Sequence, residues 1–319
     1  MNAVFLDFAT MGAAELDRSP LSDALPGIEF FDATAADERR ERIRGAAFVL
    51  TNKVRIDREL IDATPDLKFI GLTATGTDNI DLQAAAARNI AVCNIRAYCT
   101  QSVVEHVFAV LLNFAHSIGA FDRDVRKGEW QRSADFCMLG HPIRQLSAMT
   151  MGIVGYGVLG RAVAETAKHF GMRVLIARRR GAPDAASDGR TEFTDLLRQA
   201  DVISLHCPLN EETRGLFGAE EFRRMKPNAI LINTARGGLI DSAALVEALK
   251  RKQIAAAAID VLPKEPPADG DPLIDYAAPN LLVTPHIAWA TVEARQNAIN
   301  ELAANIHAFQ RGEKRNRVV

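Results

Sequence analysis

One nine-residue stretch, Gly152-Ile-Val-Gly155-Tyr-Gly157-Val-Leu-Gly160, limits what this chain can fold into more than any other. A short apolar run ends in glycines spaced G-x-G-x-x-G and passes straight into a helical pattern. Gly155 permits a tight turn after a strand, Gly157 lets backbone come close to a bulky anion, and Gly160 lets the helix pack on the strand. The amides that open the helix carry partial positive charge, so the pyrophosphate of a dinucleotide suits the turn at Tyr156, Gly157, Val158 and Leu159. The helix has an apolar face at Leu159, Val163, Ala167 and Phe170, with Gly171 placed to cap its end.

The surrounding pattern agrees with a parallel sheet. Apolar runs at residues 3–8, 28–31, 46–51, 68–73 and 90–94 predict a first set of strands, with helices at 35–44 and 82–88 between them. A second set is predicted at 152–154, 173–177, 201–206, 229–233, 254–260 and 281–284. Alternating strands and helices imply an α/β fold with two parallel-sheet domains, which fits 319 residues at about 150 per domain. Ser102 and Glu105 match a capping box, predicting a helix that starts there and runs toward Trp130. Residues 131–149 lack a period and read as an excursion over the surface or onto a partner. Residues 291–311 read as one amphipathic helix.

Composition excludes several classes. A net charge of −2 argues against general affinity for nucleic acid or membranes. Cys93, Cys99, Cys137 and Cys207 form no C-x-x-C pair, so no metal or redox motif is visible, and reduced thiols in a cytoplasmic protein are expected. The first residues do not read as a signal peptide, and no apolar run reaches the roughly 18 residues of a membrane span.

In a dinucleotide-binding sheet the second strand commonly ends in a carboxylate for the adenosine ribose. Here it ends in Arg178, Arg179 and Arg180. Arginines suit a 2′-phosphate, so NADP(H) is favoured, with NAD(H) as the alternative. Three further charged residues follow later strands: Arg236 before Gly237 and Gly238, Glu265 before two prolines, and His286 after Pro285. Ligands of open parallel sheets bind outside the strands' carboxyl ends, where all three would lie. Arginine clamps a carboxylate and polarises a neighbouring carbonyl. Histidine exchanges a proton with the resulting alkoxide, and an adjacent carboxylate orients the imidazole. Such a set suits hydride transfer between a dinucleotide and a small 2-keto or 2-hydroxy acid.

Seven ordered motifs extend the pattern along nearly the whole chain: Thr73–Asp81, Ser102–His106, the glycine turn, His206–Leu209, Asn233–Gly238, Asp260–Pro266 and Pro285–Trp289. With them the chain resembles the D-isomer-specific 2-hydroxyacid dehydrogenases, most closely the bacterial hydroxypyruvate reductase or glycerate dehydrogenase branch. The resemblance implies a flavodoxin-like substrate domain, residues 1–99 and 289–319, with an inserted Rossmann domain, residues 100–288. Within the insert, residues 115–148 would be a dimerisation arm of a homodimer. It implies that Arg236, Glu265 and His286 are catalytic. Amides at Thr75 and Gly76 would hold the substrate carboxylate, and Trp289 would shape the pocket. Cys207, Pro208 and Thr213 would line the adenosine side. Thr234, Ala235, Asp260 and Ser102 would lie near the nicotinamide. The implied reaction is NAD(P)H-dependent reduction of hydroxypyruvate or glyoxylate. A dehydrogenase of lactate or of bulkier 2-keto acids, and more remotely a dinucleotide-sensing corepressor, are the alternatives. The family often has an acidic residue where Arg178 stands.

Overall fold

Most strands in both sheets are short and apolar on both faces, because helices cover parallel sheets on either side. A computed structural model describes residues 2–179 and 189–319, so Arg180 lies outside the described residues. The chain divides into two units, Met1–Cys99 with Ala290–Val319, and Thr100–Trp289.

The first unit holds a five-stranded parallel sheet of β1 (Ala3–Phe5), β2 (Glu29–Phe30), β3 (Phe48–Thr51), β4 (Phe69–Leu72) and β5 (Ala91–Cys93), in the order β2-β1-β3-β4-β5. β1 stops sooner than its apolar run suggests. Asp7, 3% exposed, accepts from Thr51 Oγ1 and from the amides of Asn52, Lys53 and Val54, which ties the end of β1 to the loop after β3. Residues 35–44 yield only a four-residue helix, Arg39–Arg42, with no buried side chain. The helix Val292–Gln310 starts where expected, at an N-cap Thr291 that accepts from Ala294 N. It packs on this sheet, with Leu302 against Gly71 and Phe309 against Phe48 and Phe69. The segment after it runs antiparallel to β5, with Val318 N donating to Val92 O at 2.7 Å and Arg317 bridging Cys93.

The second unit holds a six-stranded parallel sheet of β6 (Thr150–Val154), β7 (Arg173–Ile176), β8 (Val202–Leu205), β9 (Ile230–Asn233), β10 (Ala256–Ile259) and β11 (Leu281–Val283). Its order, β11-β10-β9-β8-β6-β7, reverses direction between β6 and β8. Such a reversal opens a crevice at the carboxyl ends of the strands. The helix Val158–His169 buries Gly160, Val163, Ala164 and Ala167. Leu159 is half-buried, and Phe170 is 43% exposed yet stacks on Phe108 at 5.1 Å.

Two helix readings need correction. The helix expected from Ser102 spans Thr100–Ala115, so Ser102 lies inside it rather than at its cap position. Its hydroxyl donates instead to Ala288 O, and Glu105 accepts from Gln101. Nor does the helix run on to Trp130. Ser117 adopts φ 51, its hydroxyl donates to Pro142 O, and a separate helix occupies Ile118–Arg126. Residues 127–149 contain only short 3-10 turns, and Phe136 and Leu139 are 89% and 78% exposed. No single helix among the described residues is long and apolar enough to cross a membrane.

Candidate active site

Because all six strands of the second sheet are parallel, the segments after β6 to β11 emerge along one edge. The glycine turn follows β6. Gly155 has φ 95, and a Cβ there would lie 2.5 Å from Cys207 N. At Gly160 a Cβ would lie 2.0 Å from Gly155 O. The chain's own packing therefore demands both glycines. Gly157 differs, since a Cβ there would meet no atom within 4 Å. No side chain caps the helix that follows, which leaves its first amides open beside Gly157 and the 49%-exposed Val158. The turn thus fits a guest that needs close backbone approach at Gly157, as a pyrophosphate does.

Beside the turn lies a cavity of about 280 Å³ lined by Gly155, Tyr156, Arg178, Arg179, Cys207, Pro208 and Thr213, among others. Arg178 pairs with Glu192 at 2.5 Å and Arg179 with Glu212 at 2.7 Å. Sequence reasoning picked the arginines and missed both carboxylates, because each comes from a distant loop. Thr213 folds its loop inward, its hydroxyl donating to Pro208 O. Burial pushes the Cys207 thiol up to about 11, so it stands as a neutral wall. His206 precedes it with Nε2 2.9 Å from Ser204 Oγ and Nδ1 buried without a partner among the described residues. Desolvation pushes its pKa down to about 4.

The loop after β9 carries Thr234, Ala235 and Arg236. Buried Asn233 shapes it, accepting from Ala235 N and donating to Arg236 O. Gly237 is the tightest point, since a Cβ there would lie 2.0 Å from Leu262 C. That contact sets the Arg236 loop against the loop leading to Glu265. Thr234 Oγ1 is buried with no partner among the described residues, as expected of a group kept for a ligand.

Asp260, 2% exposed, directly follows β10. Its Oδ1 accepts from Thr284 Oγ1 and Ile287 N, and its Oδ2 from Ala288 N. This carboxylate thus shapes the loop that carries His286, and Ser102 reaches the same loop through Ala288 O. Thr284 was missed, since a threonine after a strand has no distinctive spacing. His286 adopts φ 56. Its amide donates to Asp260 O, and its carbonyl accepts from Trp289 Nε1 at 3.0 Å. Its Nδ1 lies 2.6 Å from Glu265 Oε2, while Glu265 Oε1 accepts from Leu262 N at 2.8 Å. Ring position and carboxylate orientation are both fixed. In the first unit, Thr75 Oγ1 donates to Ile95 O, which fixes the turn leading into Gly76.

The sequence profile of the family described as D-isomer specific 2-hydroxyacid dehydrogenase, NAD binding domain, matches residues 108–288. Over 289 residues the chain is 43% identical to a glycerate dehydrogenase of Methylorubrum extorquens, covering 90% of each chain. Over 317 residues it is 36% identical to a hydroxypyruvate reductase of Blautia hydrogenotrophica, covering 98% of each. In three dimensions it is similar to an acyclic imino acid reductase solved with NADPH and D-arginine, with a TM-score of 0.85, 28% identity and full coverage of both chains.

Proposed function

The chain belongs to the D-isomer-specific 2-hydroxyacid dehydrogenase family, and from that premise we propose that it interconverts hydroxypyruvate with D-glycerate and glyoxylate with glycolate, using NADP(H) in preference to NAD(H). The observation that carries the reading is the pair His286 Nδ1–Glu265 Oε2 at 2.6 Å. With Nδ1 engaged, Nε2 is the nitrogen that gives a proton to the substrate oxygen in reduction and takes it back in oxidation. Arg236 clamps the substrate carboxylate and draws electrons from the adjacent carbonyl. Amides at Thr75 and Gly76 bind the same carboxylate, and Trp289 bounds the pocket. When bound at the glycine turn, the dinucleotide supplies or accepts the hydride.

Hydroxypyruvate and glyoxylate are chosen because relatives named for these acids or their reduced forms reach 36–43% identity. The preference for NADP(H) rests on Arg178 and Arg179 lining the cavity beside the turn. A 2′-phosphate offers both guanidiniums a stronger partner than the carboxylates they hold. The exposed Phe136 and Leu139 support a homodimer in which a second copy covers the arm. The cytoplasm is the compartment this reading assigns.

The test is a panel of 2-keto acids assayed with NADPH and NADH in parallel. Highest kcat/KM on hydroxypyruvate or glyoxylate with NADPH is expected. Turnover of none, despite dinucleotide binding, would overturn the enzymatic reading in favour of a sensor. A preference for pyruvate or bulkier acids would overturn the substrate.

A further inference from the structure

A buried amide network in the first unit joins the Thr75 turn to the chain's last residues. Asn94, 6% exposed, directly follows β5. Its Nδ2 donates to Thr75 O at 2.7 Å, and its backbone carbonyl accepts from Asn305 Nδ2 at 2.9 Å. Asn305, 1% exposed on the last helix, uses Oδ1 to accept from Arg315 Nη1 at 2.6 Å and from Asn316 Nδ2 at 3.1 Å. Donors stand on one side of this amide and a carbonyl on the other, so it can sit only one way round. Arg315 is itself held by both oxygens of Glu301 at 2.9 Å, and Asn94 N donates to Asn316 O. A path of hydrogen bonds thus runs Glu301–Arg315–Asn305–Asn94–Thr75.

We propose that Asn94 is a positioning residue for the substrate carboxylate, and that Asn305 and Arg315 hold it in place. Thr75 O belongs to the peptide unit whose N–H is that of Gly76. Fixing the oxygen therefore fixes the direction of the Gly76 amide. The proposal rests on the functional reading above, in which that amide binds the carboxylate. An amide aimed wrongly weakens substrate binding and leaves dinucleotide binding unchanged, because the glycine turn belongs to the other unit.

The experiment compares Asn94→Ala, Asn94→Asp, Arg315→Ala and Arg315→Lys with the wild type. It reads kcat and KM for hydroxypyruvate and Kd for NADPH. Asn94→Asp keeps the shape but sets an oxygen against Thr75 O. Both Asn94 variants are expected to raise KM about tenfold, with kcat within about twofold and the NADPH Kd unchanged. Arg315→Ala should raise KM about threefold, and Arg315→Lys should recover most of that loss. If the Asn94 variants do not fold, the Arg315 pair decides. An unmoved KM in folded variants, or a parallel loss of kcat and NADPH binding, overturns the positioning role alone. A wild type that turns over no 2-keto acid overturns the functional reading and this role with it.

Discussion

Replacing Glu265 by glutamine would keep the side chain's shape and remove its charge. The glutamine must keep its oxygen toward Leu262 N–H, since two donors cannot face each other. Its NH2 then points at His286 Nδ1, and the ring is driven to the form with its proton on Nε2. In reduction the proton leaves an imidazolium, and the glutamine's NH2 cannot accept the proton that such a ring carries on Nδ1. A hydrogen bond to a charged group is worth roughly 1.5–3 kcal/mol. The His286 and Glu265 side chains are 28% and 34% exposed, so solvent screens the pair and the lower part of that range applies. At about 1.5–2 kcal/mol, kcat/KM for reduction should fall roughly 10- to 30-fold. Oxidation passes through the same transition state in reverse, with Nε2 lacking the lone pair it needs, and an enzyme cannot shift the equilibrium between its substrate and product. Its kcat/KM should therefore fall by the same factor. Steady-state kcat/KM in both directions at saturating cofactor, with dinucleotide affinity followed by fluorescence titration, measures the loss. Values within about threefold of wild type refute the role of the His286–Glu265 pair in holding Nε2 ready for proton transfer.

Arg178→Glu should lower the ratio of kcat/KM for NADPH over NADH by at least about tenfold; an unchanged ratio would leave the arginines a solvated loop. Gly160→Ala and Gly157→Ala should separate folding from binding. The first places a methyl 2.0 Å from Gly155 O and should cost about 3 kcal/mol of stability by thermal melting. The second should leave the melting temperature within about 2 °C and weaken dinucleotide binding at least about tenfold; normal binding would deny close approach there. His206 ties stability to pH. Its pKa is held at about 4 in the fold against an ordinary 6.5. Between these values the unfolded chain takes up a proton that the folded chain refuses. Stability is therefore full above about pH 6.5, falls as pH drops and levels off below about pH 4, a loss of at most about 3 kcal/mol. His206→Gln should flatten that part of the melting profile, and an unchanged slope would assign it to other groups.

The fold class was legible because strand and turn chemistry are local. The eleven strands of the two sheets fall within or overlap the apolar runs. Misreadings came where a distant partner decided the outcome. Ser102 and Glu105 have the spacing of a capping box, yet the Ala288 carbonyl claims the serine. The helical pattern reads on past Ala115 toward Trp130, yet Ser117 leaves the helix with its hydroxyl on Pro142 O. At the site, residue types announced Arg236, Glu265 and His286, and the structure joins the last two directly. Of the residues that orient them, Asn233 and Gly237 lay within a motif but carried no assigned role, and Thr284 was not singled out, because what these residues do consists of contacts between separate strand ends. The network through Asn94 and Asn305 was invisible for the same reason, since 211 positions separate its two asparagines.

The segment that follows the last helix has one more consequence. By pairing with β5 it occupies backbone groups that would otherwise face outward from the first sheet. An open parallel edge is a template for any extended chain, and Arg317 adds a charge that discourages approach. Shortening the chain before Asn316 would strip that cover from Val92 and Asn94. The expected outcome is sheet-to-sheet self-association, seen as concentration-dependent light scattering by a protein that still melts cooperatively.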